Sequence, residues 1–434
     1  MADRIIKVGL LGLGTVGGGV ARLLLEQRDL LTQRLGARLE LARAVDLDAK
    51  LAAELDLPAG VFSTDAGAVL DDPAIDIVVE LIGGLKPAKD FALRAIGNGK
   101  HVATANKALL ANHGAEIFAA ARHKRVGVAF EASVAGGIPL IKALREGLAA
   151  NRVTRVLGIL NGTCNYILSR MTSEGAEFGA VLKDAQKLGY AEADPTFDVE
   201  GIDTAHKLAI VAALVSGQHP RLSDIPTQGI SQLTPLDIQL AREFGYRIKL
   251  LALCRQQDGL CEARVHPALV PQSHLMASVE GPFNAVHLTG DWVDEVMLYG
   301  RGAGRRPTAS AVAADLMDLA RDILCGCGGR VPGLGVAGDG GQPLELAPLE
   351  RVSCQYYFRF TAQDQPGVLA AISRVLGEHR ISIEAVIQKG RQDQGAVPIV
   401  MLTHEAREAD VQKALAVIDH LPVIAEPTML IRKA

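Results

Sequence analysis

The chain has 434 residues, too many for one ordinary domain, so two or three domains are expected. Hydrophobic residues make up 49% of it, enough for a large core, which excludes a disordered protein. With 45 basic and 49 acidic residues, the net charge of −4 gives no support to nucleic-acid binding or to docking on an anionic membrane. Apolar runs are short and interrupted, so no membrane span is expected. The N-terminus runs straight into a strand pattern rather than a signal peptide. The six cysteines lie scattered, which suits a reducing cytoplasm. The close pair Cys325 and Cys327 is too little for a metal site and reads as ordinary thiols.

In chain order, Ile5 to Leu11 reads as a buried strand. Gly12-Leu13-Gly14-Thr15-Val16-Gly17 follows at once, and VARLLLEQ then reads as a helix. In this setting the first glycine permits a tight turn, the second lets backbone approach a pyrophosphate, and the third lets helix pack on strand. The phosphates would meet free N–H groups at the helix start. The next strand, Leu39 to Val45, ends in Asp46. That carboxylate can accept from adenosine ribose hydroxyls, which favours NAD, or it simply begins a turn. Arg43 on the same strand would instead meet a 2′-phosphate. The choice between NAD and NADP stays open, leaning to NAD.

Ile75 to Leu81 is another buried strand, ending in Gly83-Gly84. A helix closed by Gly97 and Gly99, the strand HVATA and the loop Asn106-Lys107 follow, and Val126 to Phe130 is strand again. Strands alternating with helices predict an α/β, Rossmann-type doubly wound parallel sheet over residues 1–150. Ligands of such sheets lie beyond the carboxyl ends of the strands, where Thr104 and Lys107 fall. After Glu131, the loop around Ala135-Gly136-Gly137 exposes backbone carbonyls. It is either an ordinary strand-to-helix turn or a seat for a hard monovalent cation.

Near residue 150 the pattern changes. Val153 to Leu160 reads as a strand, ending in Asn161-Gly162-Thr163-Cys164-Asn165-Tyr166. Cys164 is discounted as a nucleophile, because no histidine lies nearby in sequence to act as base. The stretch Gly189 to Lys207 carries Glu192, Asp194, Asp198, Glu200 and Asp203, and a helix reads from about Asp203. Asp203 and Lys207 are four apart and share a face. The five carboxylates and the lysine either form a solvated acidic loop or converge on one site. YRIKLLALC, LCEARVHPALV and NAVHLTG read as antiparallel strands of a second, α+β domain over 151–325. MLYGRGAGRRPTASAV opens a glycine turn and a long helix, with Gly302 and Gly304 bringing backbone close to a ligand. Residues 326–350 are rich in Gly and Pro and read as a linker. Residues 351–434 read as strand, helix, two strands, helix, strand, a ferredoxin-like unit without a catalytic set.

The run AxxxGYAExDPxxDVxGxDxxxK, from Ala185 to Lys207, resembles the signature of homoserine dehydrogenases. GLGTVG, ELIGG, GKHVATANKALLA, EASVAGGIP, GILNGTCNYIL and GAGRRPTASAV follow the same family in the same order over about 310 residues. DQPGVL, at Asp364 to Leu369, resembles an ACT domain, a small-ligand sensor.

The resemblance implies reversible, NAD(P)-dependent interconversion of L-homoserine and L-aspartate 4-semialdehyde, a step toward threonine, methionine and isoleucine. It makes Lys207 the acid–base group, with Lys107 sharing the proton transfer. Glu192, Asp198 and Asp203 would hold substrate. Gly12 to Gly17, Arg43, Asp46, Thr104, Lys107, Gly189, Gly302 and Gly304 would line the cofactor. Glu131, Val134, Gly136 and Ile138 would hold a monovalent cation, usually sodium, three of them through backbone oxygens. The second domain would also serve dimerisation, giving a homodimer or homotetramer, and its last helix would return to the Rossmann domain. L-threonine is the expected effector at the ACT domain. Two rivals remain open: another oxidoreductase on the same scaffold, and an amino-acid sensor with an inactive core.

Overall fold

The computed structural model describes residues 4–257, 259–338, 342–388 and 395–434. The link between the expected strands ISIEAVIQKG and AVPIVMLTH, including Lys389 and Gly390, lies outside the described residues, as do residues 339–341 of the expected linker. The chain forms two compact units. The first gathers Met1–Gly162, Asp203–Ile225 and Phe283–Glu345; the second gathers Thr163–Ile202, Pro226–Pro282 and Leu346–Ala434.

In the first unit, β1 (Ile5–Leu11), β2 (Arg38–Val45), β3 (Phe62–Ser63), β4 (Ile77–Glu80), β5 (His101–Thr104) and β6 (Val128–Ala129) build one sheet. Its order is β3-β2-β1-β4-β5-β6, and every pairing is parallel. Helices cover both faces of such a sheet, so its strands are apolar throughout rather than alternating. Ile6, Val8, Leu10, Ile77 and Val79 are accordingly buried. The order reverses between β1 and β4, which opens a crevice at the carboxyl ends. The helix Arg305–Leu324 packs on the helix Thr15–Glu26. Gly19 makes that approach possible: a Cβ there would lie 2.8 Å from the Arg305 side chain.

Further along run β7 (Val153–Ile159), β8 (Tyr246–Gln257), β9 (Leu260–Pro271), β10 (Phe283–Gly290) and β11 (Asp294–Arg301). In the first unit β10 lies between β7 and β11, antiparallel to both. β11 is absent from the sequence reading, which placed Met297 to Arg301 in a turn. None of its residues is buried, so it carries no apolar alternation to read. Within residues 326–350, Leu334 and Leu344 are buried, and the Leu344 N–H donates to the His219 carbonyl at 2.9 Å. The described part of this Gly- and Pro-rich stretch up to Glu345 therefore belongs to the first unit, and residues 346–350 to the second.

In the second unit β8 and β9 form a long antiparallel hairpin. Beyond residue 350 come β12 (Ser353–Cys354), β13 (Tyr356–Gln363), β14 (Ile383–Gln388), β15 (Ala396–Thr403), β16 (Ala406–Arg407) and β17 (Ile424–Lys433). Four of these lie in the order β17-β13-β15-β14, with helices Val368–Glu378 and Glu408–Ile418 between them in sequence. That is the ferredoxin-like arrangement of an ACT domain. β17 also pairs parallel with β9, through Arg432 opposite Ala268 and Lys433 opposite Leu269.

The helix Pro235–Glu243 was also missed, although its start is written in the sequence. Thr234 and Asp237 form a reciprocal capping box, with Pro235 at the first turn. Asp237 is wholly buried, and accepts from the Tyr357 hydroxyl at 3.0 Å and from Arg359 Nε at 2.7 Å. Asp237→Ala strands the Arg359 guanidinium and the buried phenol together. Loss of one partner of a buried pair costs about 3–5 kcal/mol. Thermal unfolding should therefore show a large drop in Tm, and an unchanged Tm would show that the pair contributes nothing net.

Candidate active site

The turn after β1 is held by two positions that only glycine fits. Gly12 has φ +95°, and a Cβ on Gly17 would lie 1.9 Å from the Gly12 carbonyl oxygen. Gly14 is different: a Cβ there would meet nothing within 4 Å, so its backbone faces open space. The helix that follows begins at Thr15 without an acidic residue in its first turn, which leaves its N–H end suited to an anion. Leu13 N–H donates to Asp46 Oδ2 at 2.6 Å, and Asp48 N–H donates to Oδ1 at 3.0 Å. Asp46 is thus tied to the glycine turn. Arg43 spends its guanidinium on the Ala42 and Gly60 carbonyls, at 2.9 and 3.1 Å.

At the ends of β4 and β5, Glu80 is fully buried. Burial pushes its carboxyl up, while hydrogen bonds from Thr104 and the Ile82 N–H oppose the rise. Thr104 Oγ1 donates to Glu80 Oε2 at 2.7 Å and accepts from the Asn106 N–H at 3.0 Å. Its hydroxyl is therefore engaged within the protein. Asn106 caps the helix Lys107–Lys124 through Oδ1 and donates to the Gly84 carbonyl at 2.8 Å. This capping fixes where Lys107 leaves the helix start.

Lys107 then meets the helix Ile202–Ser216. Its Nζ lies 3.2 Å from Asp203 Oδ1. Lys207, one turn on, donates to Asp203 Oδ2 at 2.7 Å and to the Leu160 carbonyl at 2.7 Å. Asn161 Nδ2 donates to the same Oδ2 at 2.8 Å. Leu160 and Asn161 stand just beyond the end of β7. Asp203 is 4% exposed, and Lys207 keeps 12% of its side-chain surface. Burial alone would raise the Asp203 carboxyl. The ammonium groups of Lys207 and Lys107 and the hydrogen bonds from Lys207 and Asn161 overcome it, bringing the group down to about 2. The result is an anion that stays ionised between two lysines, one of them held by a strand-end carbonyl.

The other carboxylates of the acidic stretch behave differently. Glu192 and Asp194 are exposed, and Asp194 accepts from the Thr196 N–H at 3.1 Å, at the short helix Thr196–Val199. Only Asp203 of the five is buried, so this run is not one enclosed cluster. Asp198 is half-buried in the second unit, as is Glu200. Gly189 has φ +75°. Cys164 is fully buried, with its Sγ on the Asp198 carbonyl at 3.2 Å, an enclosed thiol rather than a presented nucleophile.

The loop after Glu131 has a specified shape. The Glu131 carboxylate accepts from the Ile141 and Lys142 N–H groups, each at 2.8 Å, and the Glu131 N–H donates to Asp315 Oδ2 at 2.8 Å. Burial pushes both carboxyls up. Val134 and Gly136 are buried, and among the described residues no hydrogen bond reaches either carbonyl. The Ile138 carbonyl accepts from the Leu140 N–H at 2.8 Å. Gly136 packs on Gly302: a Cβ on Gly136 would lie 2.4 Å from the Gly302 carbonyl oxygen. Gly304, at φ +117°, starts the helix Arg305–Leu324. Among the described residues no group of three or more His, Cys, Asp or Glu could hold a metal ion.

A family model described as the NAD-binding domain of homoserine dehydrogenase matches residues 12–131, and the homoserine dehydrogenase model itself matches 139–317. A homoserine dehydrogenase of Neisseria gonorrhoeae is 47% identical over 98% of both chains. The chain belongs to the homoserine dehydrogenase family. It is an NAD(P)-dependent oxidoreductase, and an ACT domain model matches residues 356–422. A solved homoserine dehydrogenase from Thiobacillus denitrificans is 50% identical, covers 100% of this chain and 99% of its own, and superposes with a TM-score of 0.94. A hyperthermophilic archaeal homoserine dehydrogenase, solved with NADPH, is 26% identical, covers 73% of this chain and 97% of its own, with a TM-score of 0.63. The family's two catalytic models between them take in the glycine turn, both lysines, Asp203 and the Gly302 turn.

Sequence reasoning missed Asn161 and Glu80 as site residues, although both stand in quoted motifs. The available signals were a polar residue directly after the apolar run Val153 to Leu160, for Asn161, and a carboxylate inside the apolar run Ile75 to Leu81, for Glu80. Asn284 offered less: its polarity sits inside an otherwise ordinary strand run.

Proposed function

We propose that this chain interconverts L-homoserine and L-aspartate 4-semialdehyde, with Lys207 as the acid–base group. The observation that carries the reading is the Lys107–Asp203–Lys207 cluster, anchored on the Leu160 carbonyl. NAD(P)+, once held at the glycine turn, would supply the acceptor for the hydride of the alcohol carbon. The hydroxyl proton passes to Lys207 Nζ, which must be a neutral amine to accept it. Asp203 stays ionised and stabilises the ammonium so formed. Lys107, on the other oxygen of Asp203, shares that anion and holds it in place. Asp203, Glu192 and Asp198 keep the substrate-binding roles that the family resemblance gives them, acting on the amino end of homoserine. The glycine turn, with Gly189, Gly302 and Gly304, is assigned to the cofactor.

Asp46 favours NAD. A carboxylate fixed beside the glycine turn accepts from ribose hydroxyls and repels a 2′-phosphate, while Arg43 is engaged elsewhere. A monovalent cation such as Na+ fits the loop after Glu131, because Val134 and Gly136 are buried and among the described residues no donor reaches their carbonyls. Ile138 and the main chain of Glu131 complete the set assigned by resemblance. The Glu131 carboxylate is itself taken up by two N–H groups. The ACT domain is assigned L-threonine as effector, the working form a homodimer or homotetramer, and the location the cytoplasm.

Initial rates with L-homoserine, followed at the reduced-nicotinamide wavelength, test the reading. Turnover should appear with a higher kcat/KM for NAD+ than for NADP+. Removing residues from 351 onward should keep catalysis and abolish any threonine response. Absence of nicotinamide reduction with either cofactor would reject the enzymatic assignment.

A further inference from the structure

Asn284 lies on β10 and is 1% exposed, yet among the described residues neither its Oδ1 nor its Nδ2 has a partner. A buried amide left unpaired is costly, so something outside the polypeptide is expected to meet it. Its surroundings say what. A Cβ on Gly302 would lie 2.1 Å from Asn284 Nδ2 and 2.3 Å from Oδ1, so the amide sits directly against the Gly302 backbone. Gly302 in turn packs on Gly136. The Gly137 N–H donates to the Arg301 carbonyl at 3.1 Å, and Gly300, the cross-strand neighbour of Asn284, faces the Ile138 side chain. The amide and the loop of donor-free carbonyls are thus parts of one packed layer.

We propose that Asn284 supplies a further oxygen ligand, from its side chain, to a monovalent cation held by the carbonyls of Val134 and Gly136. This rests on the cation reading given above. The donor set is neutral oxygen throughout, since the Glu131 carboxylate is occupied by backbone N–H groups. Neutral oxygens suit an alkali cation over Mg2+ or Ca2+, whose protein sites draw on carboxylates.

The test is thermal unfolding of the full chain, free of substrate, in NaCl against choline chloride at equal ionic strength. Wild type should show a saturable rise in Tm specific to Na+. Asn284→Ala should lose that rise or need about 10-fold more Na+ to reach half of it. Asn284→Asp, which keeps an oxygen and adds charge, should retain it with half-saturation at lower Na+. If Asn284→Ala fails to fold, the aspartate variant decides alone: a lowered half-saturation supports the ligand, and an unchanged one overturns it. A wild-type-like Na+ response in Asn284→Ala overturns the role of Asn284 and leaves the cation standing. A wild type indifferent to Na+ overturns the cation itself, and the ligand with it.

Discussion

Lys207→Ala should lower kcat for homoserine oxidation by about 10²- to 10⁴-fold, the range expected for loss of a positioned proton acceptor. Binding of the oxidised cofactor should be nearly unchanged, because the glycine turn and Asp46 are untouched. The fold should also survive. Asp203 keeps Lys107 at 3.2 Å and Asn161 at 2.8 Å, so its buried charge is not abandoned. The substitution removes one donor from the Leu160 carbonyl and one from Asp203, the hydrogen bonds that ammonium makes among the described residues. Cofactor titration and steady-state kinetics on one preparation separate these effects. Wild-type-like turnover would remove Lys207 from the proton transfer.

Asp203→Asn should have the second large effect. It leaves two ammonium groups facing each other without their shared anion. We expect kcat/KM for homoserine to fall by about 10²-fold, as when a fixed electrostatic partner is removed from a site. Stability responds as well. The folded-state carboxyl lies at about 2 against an ordinary 3.8, which corresponds to about 2 kcal/mol by linkage. With the folded value depressed, this contribution is fully present above about pH 4 and is lost as pH falls through about 2. The Tm gap between wild type and Asp203→Asn should therefore be widest near neutrality and narrow in acid. A gap independent of pH would show that Asp203 is not the anion between the lysines.

The parallel sheet was legible because its strands are apolar runs bounded by Gly12, Asp46, Gly83 and Asn106, and local chemistry alone marks those ends. The ACT domain was legible for a similar reason, since each of its strands and helices carries its own period. β11 was not, because an exposed strand has no buried face to write into the sequence. The lysine pair shows the same boundary at the site. That Asp203 and Lys207 share a helix face follows from their spacing, but Lys107 lies 96 positions before Asp203, and only the sheet brings them together. Asn161 was hidden by the same distance, 42 residues from the carboxylate it holds. The acidic run left two readings open, a solvated loop or convergence on one site, and spacing alone could not show that burial selects one carboxylate of the five.

The central claim is that Lys207 Nζ exchanges the proton of the substrate hydroxyl. A crystal structure of the ternary complex with L-homoserine and oxidised cofactor tests it most directly. The account predicts the hydroxyl oxygen within hydrogen-bond distance of Lys207 Nζ, with the alcohol carbon facing the nicotinamide. A hydroxyl bound to another acid–base group, with Nζ still engaged only by Leu160 and Asp203, would contradict it.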